Sequence, residues 1–282
     1  MPTFSTHPTS WFADPGWIES LGMNTAPTHA PLVATRIKGV RAWITPPWAI
    51  ESATEPEAWA RFRQELDLSG VPLIVCDLPP GQRGSWNNTW IVQSRHTRWL
   101  RATGNTPTFP ALPKHRAKQI RKGTERGLTL QPERDINLLL HLHQHARVRK
   151  SIASDAGKLK GLLSWVLDSM HQSTYVVRDE YGEAIASATF LHDQGRTVYA
   201  FGGQLRSPIS SLATVMLIQQ GISDAAAVGN EIFDFGGSAD PGVDRFYAEF
   251  GAEMQFRERA IRIAPWAKRW LKFVRPDLLS ND

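Results

Sequence analysis

Apolar positions along the chain first follow a mixed short-range pattern, then helical spacing, then strict alternation. Residues 32–44, LVATRIKGVRAWI, predict two short strands turning near Lys38-Gly39. Thr45-Pro46-Pro47-Trp48 ends them, because neither proline has an N–H for a central ladder. Residues 54–68 carry Ala58, Trp59, Phe62 and Leu66 at helical spacing, and Val71 to Leu78 is a continuous apolar run suited to a buried strand. Trp90 to Gln93 and Thr97 to Arg101 predict further short strands around a turn, and Trp11-Phe12 with Trp17-Ile18 anchor a short helix upstream. Three prolines and a glycine without apolar period make residues 103–113 the expected domain boundary. The first expected unit is therefore a small α/β domain over 1–110, the second a larger one over 111–282.

The second unit opens with helices predicted over 112–124, 134–150 and 155–171. The pattern then turns to period two: Thr174 to Arg178, Ala184 to Leu191 and Thr197 to Gly202 predict successive antiparallel strands joined by tight turns. From Ser207-Pro208 to about Val228 a helix is apolar on most sides, as expected of one packed on two faces. A short strand at Ile232 to Phe235, a helix carrying Val243, Phe246, Tyr247 and Phe250, and a strand from Met254 to Ile263 follow. Asp240 is the expected N-cap of that helix, Pro241 lies in its first turn, and Gly251 ends it. The final segment, WAKRWLKFVRP, reads as a helix packing back on the protein or as a surface element for a membrane or partner, with its shortness favouring the first.

Composition narrows the function classes. A charged fraction of 21% in 282 residues excludes a mostly disordered chain, and a net charge of +5 admits an anionic partner. The single cysteine, Cys76, excludes an internal disulfide framework and sits in an apolar run as a buried thiol. No apolar run approaches membrane-spanning length, so a soluble cytoplasmic protein is expected. His141 and His145 stand at i, i+4 without an evident third ligand, so no metal is expected. Lys114, Arg116, Lys118, Arg121 and Lys122 cluster on the helix near 112–124, with Ala117 and Ile120 inward. They read as a solvated face or as contacts to the phosphates of tRNA or a nucleotide.

Chemistry concentrates in EIFDFGGSADPGVDRFYAEFGA, residues 231–252. A buried strand delivers Asp234 to Gly236-Gly237, which allow positive φ or close backbone approach by a ligand. A strand ending in DFGG, a loop, and a helix of the form G-V-x-x-F-Y-x-x-F-G resembles the C-terminal signature of FemAB-like acyltransferases, members of the GNAT-fold superfamily. The resemblance implies a mixed, mostly antiparallel sheet flanked by helices, built as two GNAT-like halves with the N-terminal one smaller or degenerate. It implies an opening between the strands before and after the long helix, where Phe201, Gly202, Gly203 and Gln204 face Asp234, Phe235, Gly236 and Gly237. Main-chain N–H groups there would hold an oxyanion, and Asp234 would act as base or would orient the glycine loop. Arg206 and Tyr247 join the expected substrate contacts, with Trp43 and Trp48 lining an acceptor cleft. The implied reaction is acyl transfer to a small-molecule or peptide amine from aminoacyl-tRNA, with no tightly bound cofactor.

Acetyl-CoA is the alternative donor. The turn at Gln204-Leu205-Arg206-Ser207-Pro208-Ile209-Ser210-Ser211 lacks the glycines of a pyrophosphate cradle, and Pro208 lacks an N–H. A non-catalytic tRNA- or anion-binding module on a decayed scaffold is the alternative of another class.

Overall fold

The structure, a computed structural model, describes residues 12, 14–26, 32–46, 56–104, 106–149, 156–168, 171–193, 195–237 and 240–279. In chain order the first elements are α1 (Pro15–Ser20), β1 (Asn24–Thr25), β2 (Val33–Ile37), β3 (Val40–Ile44), α2 (Pro56–Leu68), β4 (Leu73–Asp77) and β5 (Trp90–Arg101). Then come α3 (Lys114–Glu125), β6 (Thr129–Pro132), α4 (Ile136–Arg149), α5 (Ala156–Asp168), β7 (Gln172–Arg178), β8 (Ala184–Asp193) and β9 (Arg196–Gln204). The last are α6 (Ser210–Ala227), β10 (Ile232–Asp234), α7 (Pro241–Ala248), β11 (Glu253–Ile263) and α8 (Pro265–Val274). They form two compact units, residues 1–96 with 255–282, and residues 97–254.

The first unit orders its strands β1-β2-β3-β4-β11. β4 runs parallel to β3, with Trp43 opposite Ile74, and antiparallel to β11, with Cys76 opposite Ala260. Its two faces are both covered, which is why LIVCD is apolar without alternation. Ile74 and Cys76 meet Phe62 and Leu66 of α2. Leu73 and Val75 lie on the other face with Ile261 and with Ala267 and Leu271 of α8. Burial drives the Cys76 thiol pKa far up, so it packs as a small apolar group.

The second unit orders its strands β5-β10-β9-β8-β7-β6, all antiparallel except β9–β10. α6 packs Leu212, Val215, Ile218 and Ile222 into a core with Phe190 and Phe233. Gly221 is needed there, because an added Cβ would stand 2.4 Å from the Phe190 ring.

Three expectations are corrected. The expected boundary at 103–113 is a connection inside the second unit: Thr103 bridges Thr108, and Phe109 and Leu112 pack on that unit's core. The strand at 253–263 pairs with β4 in the first unit, while β5 supplies the neighbour of β10. Residues 90–101 form one strand, because their polar side chains have partners in place: Gln93 donates to the Asp277 carbonyl at 3.0 Å and Thr97 to Asp234. The edge strand β6 was not foreseen; its four residues are mostly exposed and end at Pro132, where an edge tolerates the missing N–H. Trp11 and Trp48 lie outside the described residues.

Candidate functional site

β9 and β10 are paired over three residues only: Ile232 with Arg196, Phe233 with Thr197 and Asp234 with Val198. Beyond that point β10 stops, because Gly236 and Gly237 take φ of 78° and 71°, a left-handed conformation open to glycine without penalty. β9 continues through Tyr199 to Gln204 without a β10 partner. The two strands thus part at Tyr199 and Gly236, where an added Cβ on Gly236 would stand 3.3 Å from the Tyr199 carbonyl. Such a parting beyond strand ends is a preferred ligand position in α/β proteins.

Asp234 sits at the fork and is fully buried. Its Oδ1 accepts hydrogen bonds from the Thr97 hydroxyl at 2.6 Å and the Gly236 N–H at 2.8 Å. The indole N–H of Trp99, the residue opposite on β5, is turned to the same carboxyl and adds to the pull that lowers its pKa. Desolvation raises the Asp234 pKa against the opposing pull of Arg196, Thr97 and Gly236. Of the two expected roles, base and orienter, these contacts are those of the orienter: the carboxyl holds the turn into the glycine pair and is fully buried. A second anchor, not foreseen, is Arg98, whose guanidinium clamps Asp244 of α7 through bonds of 2.8 and 2.7 Å. A charged residue amid polar neighbours in a short strand gave no sign of a specific partner.

The glycine pair of β9 is explained by packing. A Cβ on Gly203 would stand 2.4 Å from the Leu142 carbonyl carbon of α4, and one on Gly202 would overlap the Tyr199 hydroxyl. A bulge near Ala200 brings Tyr199 and Gly202 to the same face. Gln204 accepts from Thr214 of α6 at 2.5 Å. Phe235 is buried and Tyr247 half-buried, in an aromatic cluster with Tyr199, Phe246 and Phe250. Burial pushes the Tyr199 pKa up to about 12 and the Tyr247 pKa higher still, so both remain neutral hydroxyls. Phe201 packs towards α4 and α5, and Trp43 packs on the first unit's core.

Close approach of α4 at Gly203 also delivers His143. Its Nδ1 lies 3.2 Å from the carbonyl of Gly202, on the part of β9 beyond its last pair with β10. A carbonyl only accepts, so Nδ1 carries the proton and Nε2 keeps its lone pair. Burial, with Arg147 adding to it, lowers the His143 pKa below 6.5 against the Gly202 hydrogen bond. A half-buried imidazole held neutral at Gly202 is suited to accept a proton. In the sequence His143 falls with Leu139 and Leu140 at helical spacing, which marks a packed face and no chemistry.

At the head of α6 two amides are engaged locally and a third is missing. Ser207 N–H donates to Ser210 Oγ at 3.0 Å, Ser210 N–H to the Ser207 carbonyl at 3.1 Å, and Pro208 has none. Arg206 is exposed just before them. A diphosphate would find fewer free amides here than a glycine-rich turn offers.

Arg116 corrects another expectation. It is buried beneath α3, stacked 4.3 and 4.7 Å from the Phe246 and Phe250 ring centres and paired with Glu249 at 2.6 Å. Lys114, Lys118, Arg121 and Lys122 are exposed, as is Ala117, while Gly123 turns inward against Met216. His141 and His145 stack edge-on at 4.5 Å, and no group of three potential metal ligands occurs among the described residues. Ser173, His192 and Asp224 form a chain, but the serine lies in the middle and donates to Asp224 at 2.7 Å. That order does not activate a serine nucleophile.

No family model and no curated protein matches the sequence. Solved structures do match. The chain superposes on FemX with a TM-score of 0.65 at 11% identity, over 94% of this chain and 95% of that one. The C-terminal domain of a putative lysylphosphatidylglycerol synthetase from Agrobacterium fabrum gives a TM-score of 0.61 at 13% identity, covering 98% and 94%. L-PGS from Bacillus licheniformis gives 0.55 at 11% identity, covering 90% of each chain. The likeness is one of fold, and it matches the GNAT-like, FemAB-like architecture that residues 231–252 imply.

Proposed function

We propose that this protein is an acyltransferase that moves an aminoacyl group from aminoacyl-tRNA onto an amine. The observation that carries the choice of donor is the head of α6, where Pro208 and the Ser207–Ser210 bonds leave fewer amides for a coenzyme A diphosphate than a glycine-rich turn offers. Four exposed cations of α3, with Arg206, support an RNA phosphate backbone as the group that anchors the donor. The fork between β9 and β10 is the reading for the ester carbonyl, which approaches bare backbone at Gly236-Gly237.

In this reading the acceptor amine attacks the ester carbon, and the developing oxyanion is met by the Gly237 N–H, since that of Gly236 is held by Asp234. His143 Nε2 takes the proton that the amine loses and returns it to the departing 3′-oxygen of the tRNA. Asp234 keeps the loop in place and does not exchange a proton with substrate.

The test compares melting temperature and transfer with aminoacyl-tRNA, deacylated tRNA and acetyl-CoA. A ligand at 100 times its dissociation constant stabilises the native state by about 2.7 kcal/mol, a readable shift. Aminoacyl-tRNA is expected to give the larger shift, at moderate salt, and to pass its label to an amine. A shift with acetyl-CoA alone overturns the choice of donor. Equal, salt-erased shifts with both tRNAs and no transfer leave a binding module.

A further inference from the structure

α8 displays three stripes along its ten residues. Ala267 and Leu271 are buried in the first unit's core. One position round the helix, Trp266, Trp270 and Phe273 recur at i, i+4 and i+7 and are 63%, 52% and 83% exposed. Lys268 and Lys272 form the opposite flank, with Arg269 outermost between the two, and the helix holds no acidic residue. The Trp270 indole donates to the Lys38 carbonyl at 3.1 Å, which sets the aromatic ridge against the β2–β3 hairpin. That hairpin exposes Arg36, Lys38 and Arg41. Trp266 also lines a pocket of about 880 Å³ whose walls include Arg36, Arg41 and Arg262. The one carboxylate on that wall, Asp67, is paired with Arg262 at 2.9 Å.

We infer that this face docks the protein on an anionic phospholipid surface. The aromatic ridge enters the boundary between headgroups and acyl chains, where amphipathic rings are favoured. The lysines and arginines on either side meet lipid phosphates, each adding to the attraction, and the pocket behind Trp266 receives one headgroup phosphate. Charge complementarity selects the occupant: the exposed half of α8 and the hairpin present six cations, and a protruding apolar ridge is matched by a bilayer. A structured RNA would satisfy the cations and leave the ridge in water. Among the described residues no helix is long and apolar enough to cross a membrane, so the contact is one of lying on the surface. Docking stands apart from acyl transfer, because its residues belong to the first unit and none serves the proposed reaction.

The test is sedimentation of the full-length protein with phosphatidylcholine vesicles, with and without phosphatidylglycerol, beside an RNA oligonucleotide. Wild type is expected to bind the anionic vesicles at least about tenfold better than the neutral ones, given the surface attraction of several cations. Trp266→Ala with Phe273→Ala should abolish most of that binding, also at low salt. Lys268→Gln with Lys272→Gln should weaken it in a way that added salt mimics. All four positions are exposed, so melting is expected to be unchanged; should the aromatic pair melt lower, the lysine pair decides. No sedimentation of wild type with anionic vesicles, or equal sedimentation of wild type and both variants, overturns the inference. So does RNA binding that both variants lose while vesicles remain unbound.

Discussion

Asp234 has two claims on it, and its burial separates them. As a carboxyl whose pKa is raised by desolvation, it releases its proton later in the folded chain than in the unfolded one. Its contribution to stability is therefore greatest at low pH and declines as pH rises from the unfolded value to the folded one. Asp234→Asn keeps the Oδ1 acceptor for Thr97 and Gly236 and removes a buried charge, so it should melt no lower than wild type at pH 7. Asp234→Ala strands the Thr97 hydroxyl and the Gly236 N–H and should cost about 1–3 kcal/mol. Turnover should survive in Asp234→Asn, whereas His143→Ala should lose about 10²–10⁴-fold with unchanged melting. The wild-type rate should fall on acidification with a midpoint below 6.5, because His143 must be neutral and its pKa is lowered. Abolished turnover in Asp234→Asn, with His143→Ala active, would return the base role to the carboxylate. The sequence marked Asp234 as unusual because a buried strand seldom holds an unpartnered acid. His143 was hidden, because what distinguishes it is a carbonyl on β9, 59 residues away.

At the scale of elements, α3 shows why a run of cations is not one surface. Helical period places Lys114, Lys118, Arg121 and Lys122 outward but carries Arg116 under the helix, where Glu249 and two phenylalanine rings receive it. Glu249 is 45% exposed and can be hydrated alone, so what truncating Arg116 loses is its packing and its stacking on the two rings. Arg116→Ala should therefore lower melting without changing how tRNA binding responds to salt at a temperature where it is folded. Lys118→Gln and Lys122→Gln should do the reverse, each reducing the salt slope of tRNA binding by about 1 with melting intact. Salt titration of binding beside thermal melts reads both effects, and an Arg116 variant with wild-type melting would contradict the buried assignment. Most elements here were legible because period and caps agree. Asp240 does accept from Gly242 and Val243 N–H, with Pro241 opening α7. β5 was not legible as one strand, because the polar side chains that interrupt its pattern find their partners far along the chain.

For the molecule as a whole, the order of helices and strands from residue 134 to 263 was readable, and the assignment of the last strand was not. Proline and glycine at 103–113 mark a loop, and nothing local says whether a loop joins domains or lies within one. What decides is pairing at long range: β5 completes the sheet beside β10, and β11 returns to β4. A consequence is that the first unit is built from both ends of the chain. Ala260 and Ile261, both fully buried, belong to its two cores, and α8 covers one of its faces with Ala267 and Leu271. Removing residues 255–282 would expose the edge of β4 and the Leu73 and Val75 side chains to water. Each large apolar side chain so uncovered forfeits about 1.5–3 kcal/mol, a sum comparable with the whole stability of a small unit. Limited proteolysis with mass mapping of a chain ending at Met254 should show cuts spread through residues 56–96, where the full-length protein resists. Cuts should remain scarce between residues 172 and 234, whose strands pair only among themselves and with β5. If residues 56–96 stayed resistant without the C-terminal segment, the first unit would be self-sufficient, and the division at 103–113 would regain its place.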